Sequence, residues 1–427
     1  MKRFKFFYGW YIVIGGFLIM ATCYTIFVNC ISLFLVPVTT DLNITRAQFN
    51  LCLSISAVVG IVASLVVGKL LDKYNARLIG SISIGIIVLD LAGWAFVRHL
   101  WQMYILAFIT GFCVLAGTRL LISVLITNWF DRKRGLAVSL ALMGSGFGGV
   151  VLSPIISWMI INSGWHRTFL LLAVITLIAS MPLTILTFRN HPYSMGLKPY
   201  GADEPSAKKN NKTADSPIQI DVGFKLVRKS SAFWMLMLGF VFMGMVNGGV
   251  IINISAQMTD AGHSPGFAAM ILSVYMSSVI IGKISLGAVY DRFGLIAGTV
   301  FGSITTLLGV ISLLFSASAI GPYVFAVTFG FGTCLGTVAP PLMAVNEFGK
   351  KDIGTIVGII TAFEMIGTAI AAPVTGAVAD HYGTYSPAWV ALIIVTLFML
   401  VTLVISVVLA KKFIRRLESS IRNPEVA

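Results

Sequence analysis

Apolar runs of about twenty residues or more recur along the whole sequence, separated by short connections carrying Lys, Arg, Asp, Gly or Pro. At a helical rise of about 1.5 Å per residue, each run can cross a hydrocarbon layer about 30 Å thick. The pattern predicts twelve spans, over 8–36, 47–69, 78–97, 102–126, 134–161, 168–188, 231–257, 265–289, 295–316, 321–346, 353–378 and 386–410. The one long polar interruption, 189–230, is basic and poor in aliphatics, and reads as a cytoplasmic linker, disordered in part. The expected organisation is an N-terminal six-helix bundle over 1–188, the linker, a C-terminal six-helix bundle over 231–410 and a basic cytoplasmic tail over 411–427.

Composition agrees. The 427 residues are 57% hydrophobic and 11% charged, with a mean hydropathy of +0.93. Soluble domains carry about 25% charged residues, so this is an integral membrane protein. A net charge of +14 raises the question of nucleic acid, but its placement answers it. Of 30 Lys and Arg, 25 fall at one predicted face, three (Arg46, Arg98, Arg167) at the other, and two (Arg119, Lys283) within spans. That asymmetry marks a multi-pass protein of the cell membrane with both termini in the cytoplasm, its partner the lipid bilayer and not nucleic acid. Lys2, Arg3 and Lys5 precede a run too long for a secretory signal, so the first span is read as uncleaved. The five cysteines all lie in apolar runs and read as packing residues. No metal-ligand cluster, phosphate loop or nucleophile with an oriented base stands in the sequence, which predicts a non-enzyme without a cofactor.

The halves are copies. At a constant offset of 219 residues, Thr40-Asp41 matches Thr259-Asp260, Gly68 matches Gly287, and Asp72-Lys73 matches Asp291-Arg292. Gly111, Gly117-Thr118, Gly135, Gly148, Pro154 and Gly164 meet Gly330, Gly336-Thr337, Gly354, Gly367, Pro373 and Gly383. The repeat implies an all-α membrane protein of two pseudo-symmetric six-helix bundles, with the site between them near the midplane. It also isolates four charges without counterparts: Lys283 stands opposite Ser64, Glu364 opposite Ser145, Arg119 opposite Val338 and Asp90 opposite Gly309. Scaffold should survive in both copies, whereas chemistry can sit in one.

Lys283 is the only lysine inside an apolar span. An ammonium at mid-bilayer costs about 2.5–3.5 kcal/mol on insertion scales, so it is a substrate or ion site unless its stem reaches the interface. Glu364 lies about ten residues into its span, on a helical face with Thr361, Gly367, Thr368 and Ala371. It either pairs with Lys283 as a structural ion pair or titrates and couples proton movement to transport. Arg119 either attracts an anion, meets Asp90 or snorkels; Asp90 reads as a structural partner. Asn29 falls on one face with Thr22, Thr25 and Ser32, and Asn247 with Gly244, Gly248, Ile251 and Ser255. Such residues line a solute site or bond across helices, at about 0.6 kcal/mol each.

Two G-x-x-x-D-[RK] loops, Gly68 to Arg77 with Asp72-Lys73 and Gly287 to Gly294 with Asp291-Arg292, join the second and third spans of each half. They resemble the signature loop of the major facilitator superfamily, and with the twelve-span repeat the resemblance covers nearly the whole chain. It implies the major facilitator fold and a cytoplasmic gate in which Asp72 faces the start of the eleventh helix, with Arg77 and Asp131 as loop partners. The glycines are expected to permit close helix crossings. Trp129-Phe130-Asp131-Arg132-Lys133-Arg134-Gly135-Leu136-Ala137, then Gly144, Gly146 and Gly148, together with Tyr8-Gly9-Trp10, resemble the monocarboxylate transporter and oxalate/formate exchanger branch. That branch carries a carboxylate-binding arginine four residues before a glycine in the eighth helix, and Lys283 before Gly287 occupies this position. The charge is kept and the bidentate fork is lost. Val279 stands where animal monocarboxylate carriers have an acid, and Glu364 where oxalate exchangers have a second cation, which argues against a dianion.

The implied function is secondary active transport of small organic anions, monocarboxylates foremost, by alternating access with proton coupling or anion exchange. Its partners would be a small carboxylate solute and, for coupling, protons; the expected state is a monomer. Two alternatives stand beside it: a transporter of another organic solute with Lys283 and Glu364 as a structural pair, or a transporter-like membrane receptor.

Overall fold

The computed structural model describes residues 7–130, 134–200, 223–349 and 352–422; among these, 64–66, 68–73, 134–135, 194, 291, 353–354 and 418–422 are described by backbone alone. Among the described residues, eleven helical stretches are long and apolar enough to cross a membrane. The longest, Leu136–Thr187, is two helices meeting at Gly164, so the passages number twelve.

Helix α1 runs through Gly9–Ile19, a π-turn at Met20–Tyr24 and Thr25–Val28, then resumes as Ser32–Leu42. Next come α2 (Arg46–Lys73), α3 (Ala76–Trp94) and α4 (Leu100–Gly117 and Arg119–Trp129). Helices α5 (134–163) and α6 (165–187) meet at Gly164. The second half holds α7 (Ser231–Ile251 and Ile254–Asp260), then α8 (265–293) and α9 (295–312), which meet at Gly294. It closes with α10 (Gly321–Thr333 and Leu335–Phe348), α11 (Ile353–Tyr382) and α12 (Ser386–Arg422). Gly164 and its repeat partner Gly383 take positive φ, 76° and 67°, a conformation that strains other residues. They turn the chain from α5 to α6 and from α11 to α12. Helix α12 continues to Arg422 through the stretch read as a tail.

Two compact units form, Met1–Lys212 with Pro265–Ser273 and Thr213–Ser264 with Val274–Ala427. The first turns of α8 thus pack with the first unit. There Ser157 Oγ donates to the Pro265 carbonyl at 3.1 Å, and Ser273 Oγ to the Val150 carbonyl at 3.1 Å.

Repeated glycines do repeated work. In the first unit α5 crosses α1 at Gly144 and Gly148, where an added Cβ would run into the carbonyls of Phe17 and Ala21. In the second, Gly367, the counterpart of Gly148, lies against the Val241 carbonyl of α7. Gly111 of α4 sits against Ser56 of α2, an added Cβ lying 2.7 Å from the Ser56 Cα; its counterpart Gly330 of α10 sits against Ser278 and Tyr275 of α8. Lipid tails are as apolar as leucine, so close packing at small residues holds such helices together. Gly287 departs from expectation. Among the described residues a Cβ there meets nothing within 4 Å, so none of them makes a close crossing at this loop glycine.

The two aromatic motifs far apart in sequence meet in space. Tyr8 lies 5.2 Å from Trp129 between ring centroids, and Trp10 lies 5.2 Å from Phe130. Gly9 leaves room for Phe130, which would stand 2.8 Å from an added Cβ. The start of the linker is pinned to this cluster. Trp129 Nε1 donates to the Arg189 carbonyl at 2.7 Å, and the Tyr200 amide donates to the Trp129 carbonyl at 2.9 Å. At the linker's far end the Phe224 amide donates to the Asp352 carboxylate at 2.9 Å, just before α11.

Gly367→Ala should therefore lower the thermal unfolding temperature of the detergent-purified protein, since overpacking costs about 1–3 kcal/mol. Gly287→Ala should leave it unchanged or raise it, alanine being about 1 kcal/mol better in a helix. The reverse order would contradict the helix pairing.

Candidate functional site

Two of the unrepeated charges approach one stretch of α10. That helix is broken at Cys334, between Thr333 and Leu335. Downstream, Pro340 and Pro341 have no N–H to give, which leaves the Gly336 and Thr337 carbonyls without helical donors. From one side α8 packs tightly: a Cβ on Gly282 would stand 2.9 Å from Cys334 Sγ and 2.9 Å from Phe331 Cα. The next residue, Lys283, is half-buried, and its ammonium is within electrostatic reach of the Cys334 thiol. From the other side α11 brings Glu364, also half-buried. Its Oε1 lies 2.5 Å from where a Gly336 Cβ would be, so the missing side chain seats the carboxyl.

Asn247 of α7 completes the group. Its Nδ2 lies 3.3 Å from that same Gly336 point, and its Oδ1 accepts from Thr333 Oγ1 at 2.9 Å. The threonine thereby fixes the amide with its donors on the side of the Glu364 carboxyl. Thr368 Oγ1 donates to the Gly244 carbonyl at 3.1 Å, tying α11 to α7 one turn beyond Glu364. Chemically, a point charge with three donors and a carboxyl with an amide beside it border the same stretch of α10. The first can hold an anion and the second can hold a proton.

The first unit is arranged differently. Asn29 Nδ2 and Thr25 Oγ1 both donate to the Ser145 carbonyl of α5, at 3.0 and 2.9 Å. Thr22 Oγ1 is 2.7 Å from Ser180 Oγ of α6. The polar face of α1 is thus engaged with its own bundle, and Thr22, Thr25 and Ser32 are buried.

A family model described as Major Facilitator Superfamily matches residues 17–347 and 252–423. The chain belongs to the major facilitator superfamily. It resembles the monocarboxylate transporter branch, being 24% identical to Monocarboxylate transporter 13 of Bos taurus over 267 residues, 62% of this chain. The match spans only 58% of that relative's own length. The Glycerol-3-phosphate transporter of Bacillus subtilis is 24% identical over 367 residues, 82% of each chain. Among solved structures, a bacterial homolog of the human lysosomal transporter Spinster aligns with a TM-score of 0.65 at 15% identity, over 96% of this chain and 95% of that one. The nucleoside transporter NupG aligns with a TM-score of 0.67 at 15% identity, over 96% and 98%. These likenesses carry the fold.

Within this facilitator the expected gate is described only in part. Gly68, Asp72, Lys73 and Asp291 are described by backbone alone, and Asp131 lies outside the described residues. Arg77 Nε donates to the Phe188 carbonyl at 3.1 Å, holding the start of α3 to the end of α6. Arg292 is exposed, its guanidinium 5.6 Å from the Phe293 ring centre. Arg119 is exposed where α4 resumes after Thr118 and does not meet Asp90. Asp90 is instead buried against α4, accepting a hydrogen bond from Thr110. In the other copy the same two positions are Gly309 and Phe329, and a Cβ on Gly309 would stand 2.6 Å from Phe329 Cβ. One copy pairs an acid with a hydroxyl where the other pairs a gap with a ring.

Sequence reading missed Glu347, taken as lying beyond the tenth span. Helix α10 runs to Phe348, and Glu347 is 1% exposed. The signal was available in its spacing from Met343 and Ala344, which puts it on their buried face.

The exchanged pair gives a test. Thr110→Phe alone should destabilise by about 1–3 kcal/mol through overpacking. Adding Asp90→Gly should recover more than half of that loss in a double-mutant cycle on thermal unfolding. Strictly additive losses would contradict the equivalence of the two contacts.

Proposed function

We propose that this facilitator is a secondary active transporter of small organic anions, monocarboxylates foremost, with Lys283 as the anion anchor and Glu364 as the proton-coupling residue. The observation that carries the reading is the approach of these half-buried charges, from α8 and α11, to the same broken stretch of α10. A half-buried ammonium in a span is costly to keep, which marks its position as functional, and it can receive a carboxylate. An ionised Glu364 and an incoming carboxylate repel, so anion and proton favour each other's binding, which is the thermodynamic basis of symport. The likeness to relatives named as monocarboxylate transporters supports the same solute class.

Asn247 would orient the Glu364 carboxyl, and Asn29 and Arg119 remain secondary candidates for shaping or attracting the solute. The loops at Gly68, Asp72, Lys73, Arg77 and Asp131 and at Gly287, Asp291 and Arg292 would gate a cytoplasmic mouth. The charge asymmetry supports a location in the cell membrane with cytoplasmic termini. One observation favours a second reading: the match to the Bacillus subtilis glycerol-3-phosphate transporter covers 82% of both chains. A phosphorylated anion would use the same lysine.

Acetate, lactate, pyruvate and glycerol phosphate, tested by thermal shift on purified protein, separate the two. A ligand at a hundred times its Kd stabilises by about 2.7 kcal/mol, a readable shift. Stabilisation by a monocarboxylate, lost in Lys283→Ala and kept in part in Lys283→Arg, is expected, with uptake in proteoliposomes following the same order. Stabilisation by glycerol phosphate alone selects the second reading. Wild-type uptake by a correctly inserted Lys283→Ala protein would contradict both.

A further inference from the structure

We infer that Glu347 is a proton-binding site, separate from Lys283 and Glu364, whose bound proton clasps α10, α12 and α7 together at one end of the second unit. The residues beside it and its partners are apolar: Met343, Ala344 and Phe348 of α10, Phe233 next to Ala232 in α7 and Val407 next to Ser406 in α12 belong to one buried cluster. The polar group brought to it is Ser406, whose Oγ stands 2.7 Å from Glu347 Oε2 and 3.2 Å from the Ala232 carbonyl oxygen.

A serine hydroxyl has one proton to give, while a carboxylate and a backbone carbonyl only accept. With Glu347 ionised, Ser406 can serve one of these neighbours and must turn its lone pairs on the other. A proton on Glu347 resolves the conflict. The carboxyl donates to Ser406, Ser406 donates to Ala232, and each hydrogen is used once across three helices. The remaining oxygen, Glu347 Oε1, is buried without a hydrogen-bond partner. A neutral acid carbonyl bears that at modest cost, whereas half of a carboxylate does not.

The charged and titratable groups around the site fit this assignment. From α8 the Tyr290 phenol is within electrostatic reach, and its hydroxyl lies 3.3 Å from Thr299 Oγ1 of α9. The basic residues flanking α7 and within the last part of α12, Arg228, Lys229, Lys411 and Lys412, are exposed. Lys350 and Lys351 lie outside the described residues. Loss of the proton would leave a charge in the apolar cluster and break the relay, so the three helices loosen as pH rises.

Infrared difference spectroscopy tests this directly. Wild type minus Glu347→Gln at neutral pH should show the C=O stretch of a protonated carboxyl; carboxylate bands in its place overturn the proposal. Stability gives a second readout. A group protonated when folded and ionised when unfolded makes stability fall as pH rises, so wild type should lose more unfolding temperature between neutral and alkaline pH than Glu347→Gln. Equal slopes overturn it. Should the glutamine variant fail to fold, Ser406→Ala removes the acceptor and keeps the acid. The carboxyl band should then move to higher frequency, and an unmoved band rejects the relay.

Discussion

Inside a bilayer no water rescues a stranded polar group, and that constraint governs where this chain can break a helix or hold a charge. Breaks occur in α1, α4, α7 and α10, each with a short polar side chain bonded to backbone beside it. Thr25 donates to the Met20 carbonyl, Thr118 to Val114, Asn253 to Gly249 and Thr337 to Cys334. Irregular backbone is tolerated where such local donors exist. Lys283 and Glu364 flank one of these breaks, in α10, where proline has also removed two helical donors.

The two copies solve the same crossing by different means. In the first unit the Ser145 carbonyl receives hydrogen bonds from Thr25 and Asn29. In the second, the positions matching Thr25 and Asn29 are Gly244 and Gly248, and the position matching Ser145 is Glu364. The Glu364 carbonyl lies directly against Gly244, and the side-chain tether there comes from α11, Thr368 Oγ1 donating to the Gly244 carbonyl. The Glu364 carboxyl is seated beside Gly336. The exchange of Asp90 and Thr110 for Gly309 and Phe329 is a second such difference, with the acid confined to a packing role.

Much of this was legible in the sequence because it depends on period and spacing. Long apolar runs gave twelve passages, and the offset of 219 residues gave glycines that recur at equivalent crossings. Lys283 and Glu364 stood out because a charge interrupts an apolar run. The interruption of α1 after Val28 was not legible, since a tertiary bond from Thr25 to Ser145 accompanies it and hydropathy does not change there. Nor was the inward face of α1, because its hydroxyls meet α5 and α6 through contacts that spacing alone cannot orient. Glu347 escaped because a charge near a run's end looks like its boundary, although the helix ends at Gly349, where φ is 89°.

The central claim is that Glu364 carries a proton with the anion held at Lys283, and Glu364→Gln tests it most directly. The glutamine mimics the protonated acid and removes a competing negative charge, so the variant should insert normally and bind the anion at least as tightly. Labelled-for-unlabelled solute exchange and acid-driven uptake should be measured side by side in vesicles containing the variant. The account predicts that exchange persists while accumulation against a gradient is lost. Proton-driven accumulation at the wild-type level would contradict it and leave Glu364 as the structural partner of Lys283.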